Sequence, residues 1–192
     1  MKSTIIGIGL MGTNLVNCAM KNLKADISYL TINDDPQANE CSFAENKILL
    51  CATNTIDGVD KVRIDTSASR KIWSIIAESN AVLLVLGAAG HLASDIMSDL
   101  VMVFNKTNAF KMCIPVMPFI FEGKKRYEHA EETVDGLKEF FNSVHIISNE
   151  KESAEYRGTI KRISEFSELL VAIDKKIVGI ISSIIEQMQS II

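Results

Sequence analysis

The chain has 192 residues, 47% of them hydrophobic, and a formal net charge of −4. A chain of this length can bury about 70% of its extended surface, which is enough for one domain with its own core. The negative charge argues against a nucleic-acid-binding surface, and no apolar run reaches the ~20 residues of a membrane span.

A short apolar strand and a glycine turn open the chain. Residues 4–8 are predicted as a buried strand, and residues 14–20 as a helix. Between them, Gly7, Gly9 and Gly12 form a G-x-G-x-x-G turn. Such a turn directs the free N–H groups and the positive end of the helix dipole toward an anion, usually a phosphate. A tight turn that binds nothing has the same pattern.

The second predicted strand, residues 27–33, ends in an acidic turn. Asp34 and Asp35 lie about 20 residues beyond the glycines, where the ribose of a nucleotide is often bound. An Asp before Pro36 equally favours a simple turn. Both interpretations stay open at this point.

Strands and helices alternate through the rest of the chain. Residues 47–51 are predicted as an edge strand and 54–66 as a loop, followed by a helix capped by Ser67 or Ser69. The later elements are a strand at 81–86, a helix through 96–104, a strand at 110–116, a helix at 124–141 and a sixth strand at 144–148. The apolar run 81–86 is typical of a strand buried on both faces. The alternation predicts an α/β fold: a doubly wound, Rossmann-like, mostly parallel six-stranded sheet with helices on both faces.

The chain ends in one long predicted helix, so that residues 1–163 form the α/β core and 164–192 the C-terminal helix of a single domain. At ~1.5 Å per residue this helix is roughly 42 Å long. Its apolar band is wider than contact with one sheet requires. The band comprises Leu169, Leu170, Ile173, Ile177, Ile180, Ile181, Ile184, Ile185, Met188 and Ile191. We therefore expect part of it to contact a partner.

The cysteines and histidines predict neither a metal site nor a catalytic pair. The cysteines are Cys18, Cys41, Cys51 and Cys113, none in a C-x-x-C pair, and they are predicted to be reduced thiols. Ser94 and His91 are predicted to be ordinary loop residues, and His129 and His145 to be isolated. The strand at the N-terminus predicts no signal peptide, so we expect a cytoplasmic protein.

Residues 118–126 carry the motif P-F-x-F-E-G-x-x-R after the fifth strand. This motif resembles that of the GTPase domain of FtsZ, the bacterial relative of tubulin. Residues 6–17 are similar to the first glycine loop of that family, 32–38 to its I-N-T-D-x-Q-A segment and 147–151 to its P-N-D-R turn. Glu165 and Phe166 open a helix similar to its central helix. The resemblance covers most of the chain and implies an FtsZ-like fold with a site for guanine nucleotide.

The resemblance also implies which residues face the nucleotide. Glu122 and Arg126 correspond to nucleotide contacts of the family motif, and Asn149 to a ribose or base contact. The full set is Gly9, Leu10, Met11, Gly12, Thr13, Asn14, Asp34, Gly90, Glu122, Arg126, Asn149 and Phe166. The implied ligand is GTP or GDP, with Mg²⁺ only where nucleotide binds.

The loop after the fourth strand departs from the family signature G-G-G-T-G-T-G. Residues 89–95 stand in its place, and only Gly90 remains of the glycines, which let backbone N–H groups crowd around phosphates. We expect Leu92 and Ala93 to occupy the position of the anion, and Asp95 to cap the helix and repel a triphosphate. Leu10 and Met11 also replace glycines, and Leu170 stands where the family has its base-contacting Asp.

Three functions are compatible with these observations. The first is an FtsZ-like protein whose degenerate site binds guanine nucleotide weakly or not at all. It would act through self-association, or through a cytoskeletal or cell-division partner, at its C-terminal helix. Because the chain ends where the family's hydrolytic loop would begin, it is not expected to hydrolyse GTP alone.

The second function is a working GTPase that uses Gly12, Asn14, Glu122, Arg126 and Asn149 with Mg²⁺. The third is an NAD(P)-binding protein, because residues 7–12 also resemble the G-x-G-x-M-G turn of hydroxyacid dehydrogenases, with Asp34 as the ribose ligand. No catalytic Lys or His set follows that turn.

Overall fold

Strands and helices alternate along most of the chain in the computed structural model, which describes residues 2–23, 26–56, 59–156 and 163–191. The strands are β1 (Ser3–Ile8), β2 (Ile27–Asn33), β3 (Asn46–Leu49), β4 (Ala52–Ile56), β5 (Val59–Val62), β6 (Ala81–Gly87), β7 (Phe110–Met117), β8 (Ser143–Val144) and β9 (Ile147–Ser148). The helices are α1 (Gly9–Asn22), α2 (Pro36–Glu40), α3 (Thr66–Ile76), α4 (His91–Phe104), α5 (Lys124–Lys138), α6 (Asn149–Glu152) and α7 (Ile163–Ile191). Short 3-10 turns lie at Ile120–Glu122 and Ala154–Tyr156.

The main sheet is parallel, in the order β3-β2-β1-β6-β7, with β8 and β9 both paired to β7 at the far edge. The two short strands share one edge position, so the sheet has the six positions predicted. Every residue of β6 from Ala81 to Leu86 is fully buried. The predicted doubly wound α/β fold, with a strand buried on both faces at its centre, is confirmed.

Helices cover both faces of this sheet because alternate strand residues point to opposite sides. Ile5 and Leu83 pack in a core with α1 and α7. Ile6 and Leu84 pack in a second core with α3, α4 and α5. The chain therefore crosses from one face to the other between β1, which leads into α1, and β6, which leads into α4.

Several local predictions were wrong. Residues 54–66, predicted as a loop, contribute to an antiparallel hairpin of β4 and β5. The cap of α3 is Asp65, whose carboxylate accepts a hydrogen bond from the N–H of Ala68 at 2.7 Å, rather than Ser67 or Ser69. The helix α1 begins at Gly9, five residues before the predicted start.

The C-terminal helix α7 has the predicted length, and the fold itself covers much of its apolar band, so that contact of the remaining part with a partner stays a prediction. Six of its apolar side chains are buried: Leu169, Ile173, Ile177, Val178, Ile181 and Ile185. Leu170, Ile180, Ile184 and Met188 are partly buried against the same core. Among the side chains described on this helix, the large apolar one that is exposed is Val171, with 53% of its surface accessible.

Three further findings concern the classes of protein considered from the sequence. All four cysteines are free. Within the described residues, no helix combines the length and apolar character that crossing a bilayer requires. The same parts of the chain contain no group of three or more side chains placed to hold a metal ion.

Candidate functional site

A cleft of about 220 Å³ opens at the carboxyl ends of β1, β6 and β7, where ligands bind in open parallel sheets. It lies where the crossovers from β1 and β6 turn to opposite faces of the sheet. Its lining residues are Ile8, Gly9, Leu10, Met11, Gly87, Ala89, Gly90, Val116, Pro118, Glu122, Arg126 and Asn149. Seven of the twelve residues in the predicted nucleotide set line this cleft: Gly9, Leu10, Met11, Gly90, Glu122, Arg126 and Asn149.

The glycine turn between β1 and α1 forms one wall of the cleft. Gly9 has a φ of +67°, in the left-handed region that favours glycine. Gly12 lies behind it, where a Cβ would sit 2.7 Å from the carbonyl oxygen of Val85. As the sequence predicted, Gly12 allows the helix to pack closely on the strands, while Gly9 opens the backbone toward the cleft.

Thr13 and Asn14 do not line the cleft. Thr13 is fully buried, and its hydroxyl forms hydrogen bonds of 3.0 and 3.3 Å with the side-chain amide of Asn33. Asn14 is exposed on α1. Thr13 therefore joins α1 to the end of β2, a structural role.

Three of the helices that border the cleft begin without a side-chain cap. This holds for α1, α4 and α5, and none of them has an acidic residue in its first turn. By contrast, α2, α3 and α6 are capped by Asp35, Asp65 and Ser148. Uncapped N–H groups and positive dipole ends attract an anion. The start of α6 also reaches the cleft, through Asn149, but it is capped by Ser148, so the uncapped helix starts at the cleft are those of α1, α4 and α5.

Glu122 and Arg126 lie together at the start of α5. One oxygen of Glu122 accepts a hydrogen bond from the N–H of Phe119 at 2.8 Å, and the other accepts one from Nε of Arg126 at 2.8 Å. The Arg126 side chain is 53% exposed, so the ion pair itself adds little stability. It holds a guanidinium group at the wall of the cleft.

Asn149 provides the buried polar group of the cleft. The residue is 3% exposed, and its side-chain oxygen has no hydrogen-bond partner. An unpaired buried acceptor costs roughly 1–3 kcal/mol. A ligand N–H or O–H placed in the cleft would supply the missing donor.

Besides Gly12, Thr13 and Asn14, two further members of the predicted set lie away from the cleft lining. Asp34 is exposed after β2, and the neighbouring Asp35 caps α2 through the N–H of Gln37. Phe166 is partly buried on α7 and packs against Phe119 and Phe121, with ring centroids 5.8 and 6.0 Å apart. The acidic turn thus has the structural role of a helix cap.

The expectation that the side chains of Leu92, Ala93 and Asp95 block the phosphate position was wrong. Leu92 and Ala93 are 6% and 2% exposed and pack in the core beneath the sheet. Asp95 lies in the second turn of α4, not at its cap, where its carboxylate accepts hydrogen bonds from Nζ of Lys61 at 2.9 Å and from the N–H of Val62 at 3.3 Å. Gly90 occupies the cap position. The side chains of these three residues therefore leave the cleft open.

Two histidines that the sequence did not connect, His91 and His129, lie against each other between α4 and α5. The ring centroids of His91 and His129 lie 5.6 Å apart. The hydroxyl of Ser94 is 3.3 Å from Nε2 of His129. The prediction that His129 is isolated was wrong, and no sequence signal could have joined two residues 38 positions apart on different helices.

Comparison with known proteins confirms the resemblance found in the sequence. The chain is 24% identical over 191 residues to the cell division protein FtsZ of Helicobacter pylori, covering 95% of this chain and 48% of that protein. It matches the structure of the FtsZ W319Y mutant of M. jannaschii with a TM-score of 0.77 at 20% identity, covering 96% of this chain and 56% of the other. It matches a GTPγS-bound protofilament of CetZ2 from Haloferax volcanii with a TM-score of 0.73 at 15% identity, covering 96% and 58%.

The chain spans about half the length of the curated relatives it matches. No family model matches it.

Proposed function

We propose that this chain, which is related to FtsZ in sequence and shares its fold, binds a guanine nucleotide in the cleft and associates with further copies of itself. The observation that carries the proposal is the unpaired side-chain oxygen of Asn149 in a cleft bordered by three uncapped helices. A guanine base offers N–H donors to such an oxygen, and its phosphates are anions for the helix starts.

The phosphates would lie between the starts of α1 and α4, which approach the cleft from opposite faces of the sheet. Gly9 and Gly90 bring backbone to the lining on each side without a side chain. Arg126 adds a positive charge at the start of α5. Mg²⁺ would accompany the nucleotide through its phosphate oxygens. The proposal ends at binding, because residues 89–95 lack most of the glycines expected around a terminal phosphate.

A degenerate site remains the second candidate, and the size of the cleft favours it. Its 220 Å³ are below the ~300–1,000 Å³ typical of small-molecule sites. Leu10 and Met11 contribute side chains to its wall, and a Cβ on Gly87 would lie 3.3 Å from the Cβ of Met11. In that case the protein would act by association alone.

Titration of the purified chain with a fluorescent GDP analogue in the presence of Mg²⁺ tests the proposal. We expect saturable binding, and we expect Asn149→Ala to weaken it by roughly tenfold or more, because the buried hydrogen bond is lost. Asn39→Ala is the matched control, since the side-chain oxygen of Asn39 is also buried without a partner but lies on α2, outside the cleft lining.

Each outcome of this titration has a distinct meaning. Absence of binding by the unmodified chain at millimolar GDP would support the degenerate site instead. Equal weakening by both substitutions would show that the effect of Asn149→Ala is structural. Tighter binding of NADH than of GDP would favour the NAD(P) hypothesis.

A further inference from the structure

The cleft has two ends, which are set by the order of the strands beneath it. The strands run β1-β6-β7, with β9 on the far side of β7, and their carboxyl ends lie at one edge of the sheet. Met11 follows β1 at one end of the cleft, and Asn149 follows β9 at the other. Neighbouring strands lie about 4.8 Å apart, so the strands at the two ends are separated by about 14 Å.

The two ends suit different parts of a nucleotide. At one end, the side-chain oxygen of Asn149 is buried without a hydrogen-bond partner and calls for a donor such as the N–H of a base. Toward the other end, Gly9 and Gly90 line the cleft at the uncapped starts of α1 and α4, which attract an anion. A nucleotide whose base lies at Asn149 therefore extends its phosphate chain across β6 toward β1.

The side chain of Met11 lies at the end of that path. Met11 is a partly buried residue in the first turn of α1 and lines the cleft. A Cβ added to Gly87 would lie 3.3 Å from the Cβ of Met11 and 3.6 Å from its Cγ, so Met11 packs on the bare backbone at the end of β6. The carbonyl of Gly87 accepts a hydrogen bond from the N–H of Gly90 at 3.0 Å, which places this backbone in the turn before α4. Met11 thereby occupies space between the starts of α1 and α4.

We infer that Met11 selects ligands by the length of their phosphate chain, so that the cleft takes a nucleoside diphosphate in preference to a triphosphate. This inference rests on the proposed function. A shorter chain ends before Met11, whereas a third phosphate enters only if the Met11 side chain leaves its contact with Gly87. Methionine is unbranched and flexible, so Met11 disfavours the longer chain without excluding it.

The charges of the cleft favour the same choice. Among the lining residues that the structure describes, the cation is Arg126, and its Nε already donates to Glu122 at 2.8 Å. A third phosphate adds negative charge for which this part of the lining offers no further cation. The shorter anion is therefore the better match in charge as well as in length.

Competition against a fluorescent GDP analogue in the presence of Mg²⁺ tests the inference. It compares unlabelled GDP with a GTP analogue whose last two phosphates are joined by a non-hydrolysable link. We expect the unmodified chain to bind GDP about tenfold more tightly, because a fitted pocket discriminates by about this factor against one additional group. Met11→Ala is expected to reduce the preference to about threefold or less, mainly by strengthening the binding of the GTP analogue.

Met20→Ala is the matched control. Met20 lies on the same helix and is partly buried against the same core as Met11, but it is outside the cleft lining. It should leave the ratio of the two affinities unchanged. Met11→Leu, which keeps an apolar side chain of similar size at the position, should preserve the preference for GDP.

The inference and the proposed function fail in different ways. Equal binding of GDP and the GTP analogue by the unmodified chain would overturn the inference alone, and this measurement needs no variant. An unchanged preference in Met11→Ala, or the same loss of preference in Met20→Ala, would also overturn it. No binding of GDP by the unmodified chain would overturn the proposed function and this inference with it.

Discussion

Asp174 is a partly buried acidic residue on α7, the helix that packs beside α1. Burial raises the pKa of its carboxyl from 3.8 to about 6. The charge of Asp174 also contributes, after burial, to the raised pKa of the Cys18 thiol on α1. This carboxylate therefore lies at the contact between α1 and α7, where its ionised form is disfavoured.

Asp174→Asn is predicted to stabilise the protein at pH 7.5 by about 1–2 kcal/mol, because it removes a charge that is only partly solvated. The folded state holds this proton more tightly than the unfolded chain. The unmodified protein therefore keeps its relative stability below about pH 4 and loses it as the pH rises through 6. Urea unfolding of both proteins at pH 4, 6 and 7.5 measures the difference, which should shrink toward zero at pH 4.

Asp135→Asn is the control for this residue, because Asp135 is 74% exposed and pairs with Lys138 on the surface of α5. Its effect should be small and nearly independent of pH. A destabilising effect of Asp174→Asn at pH 7.5 would mean that the carboxylate has a favourable role that burial does not explain.

At the scale of the element, the start of α4 is positioned by contacts far along the sequence. Asp99 receives two hydrogen bonds from Arg63, at 2.6 and 2.8 Å, and one from the N–H of Ile64 at 3.0 Å. The Arg63 guanidinium lowers the pKa of Asp99. Together with the Lys61–Asp95 pair, these bonds attach the segment from β5 to the outer side of α4. The acidic residues Asp95 and Asp99 of α4 thus bind the β5 segment. The N-terminus of α4 faces the cleft without an acidic residue in its first turn.

The first turn of α1 gives the prediction at this scale. Gly12→Ala is expected to destabilise the protein by about 2–4 kcal/mol, because the new methyl group would meet rigid backbone of Gly7 and Val85 at 2.7 Å. Gly179→Ala is the control: it lies on α7 with open space around an added Cβ, and should stabilise by about 0.5–1 kcal/mol. Thermal unfolding of the two variants should shift in opposite directions, and a neutral Gly12→Ala would contradict the close packing of α1.

At the scale of the whole molecule, exposed apolar side chains gather beside the cleft. Leu10, Ile120 and Phe121 are 59%, 65% and 70% exposed. Leu10 lines the cleft itself, and the other two lie between the lining residues Pro118 and Glu122. The described part of α7 offers Val171 as an exposed large apolar side chain. The apolar rim of the cleft is therefore the better candidate for contact between copies.

Phe121→Ser is predicted to weaken self-association of the chain at least severalfold, because apolar area at the contact is lost. Val171→Ser, on α7, is the control and should leave association unchanged. Light scattering across a concentration series, with and without GDP, measures both variants. If Val171→Ser weakened self-association more than Phe121→Ser, the contact between copies would lie on the C-terminal helix, as the sequence predicted.

The sequence by itself determined the positions of the main-sheet strands along the chain, the central position of β6 and the resemblance to FtsZ. These follow from local patterns: continuous apolar runs, helical periodicity, and glycines with fixed spacing. It also identified Gly9, Leu10, Met11, Gly90, Glu122, Arg126 and Asn149, which the fold brings to one cleft.

Only the tertiary structure decided where side chains point. Leu92 faces the core and Asp95 faces β5, although their positions in the sequence predicted that both side chains lie at the phosphate position. His91 meets His129 because two helices pack side by side, and α7 hides most of its apolar band because the sheet and α1 cover it. A sequence pattern fixes the neighbours of a residue along the chain, whereas its contacts in space depend on elements that are distant in sequence.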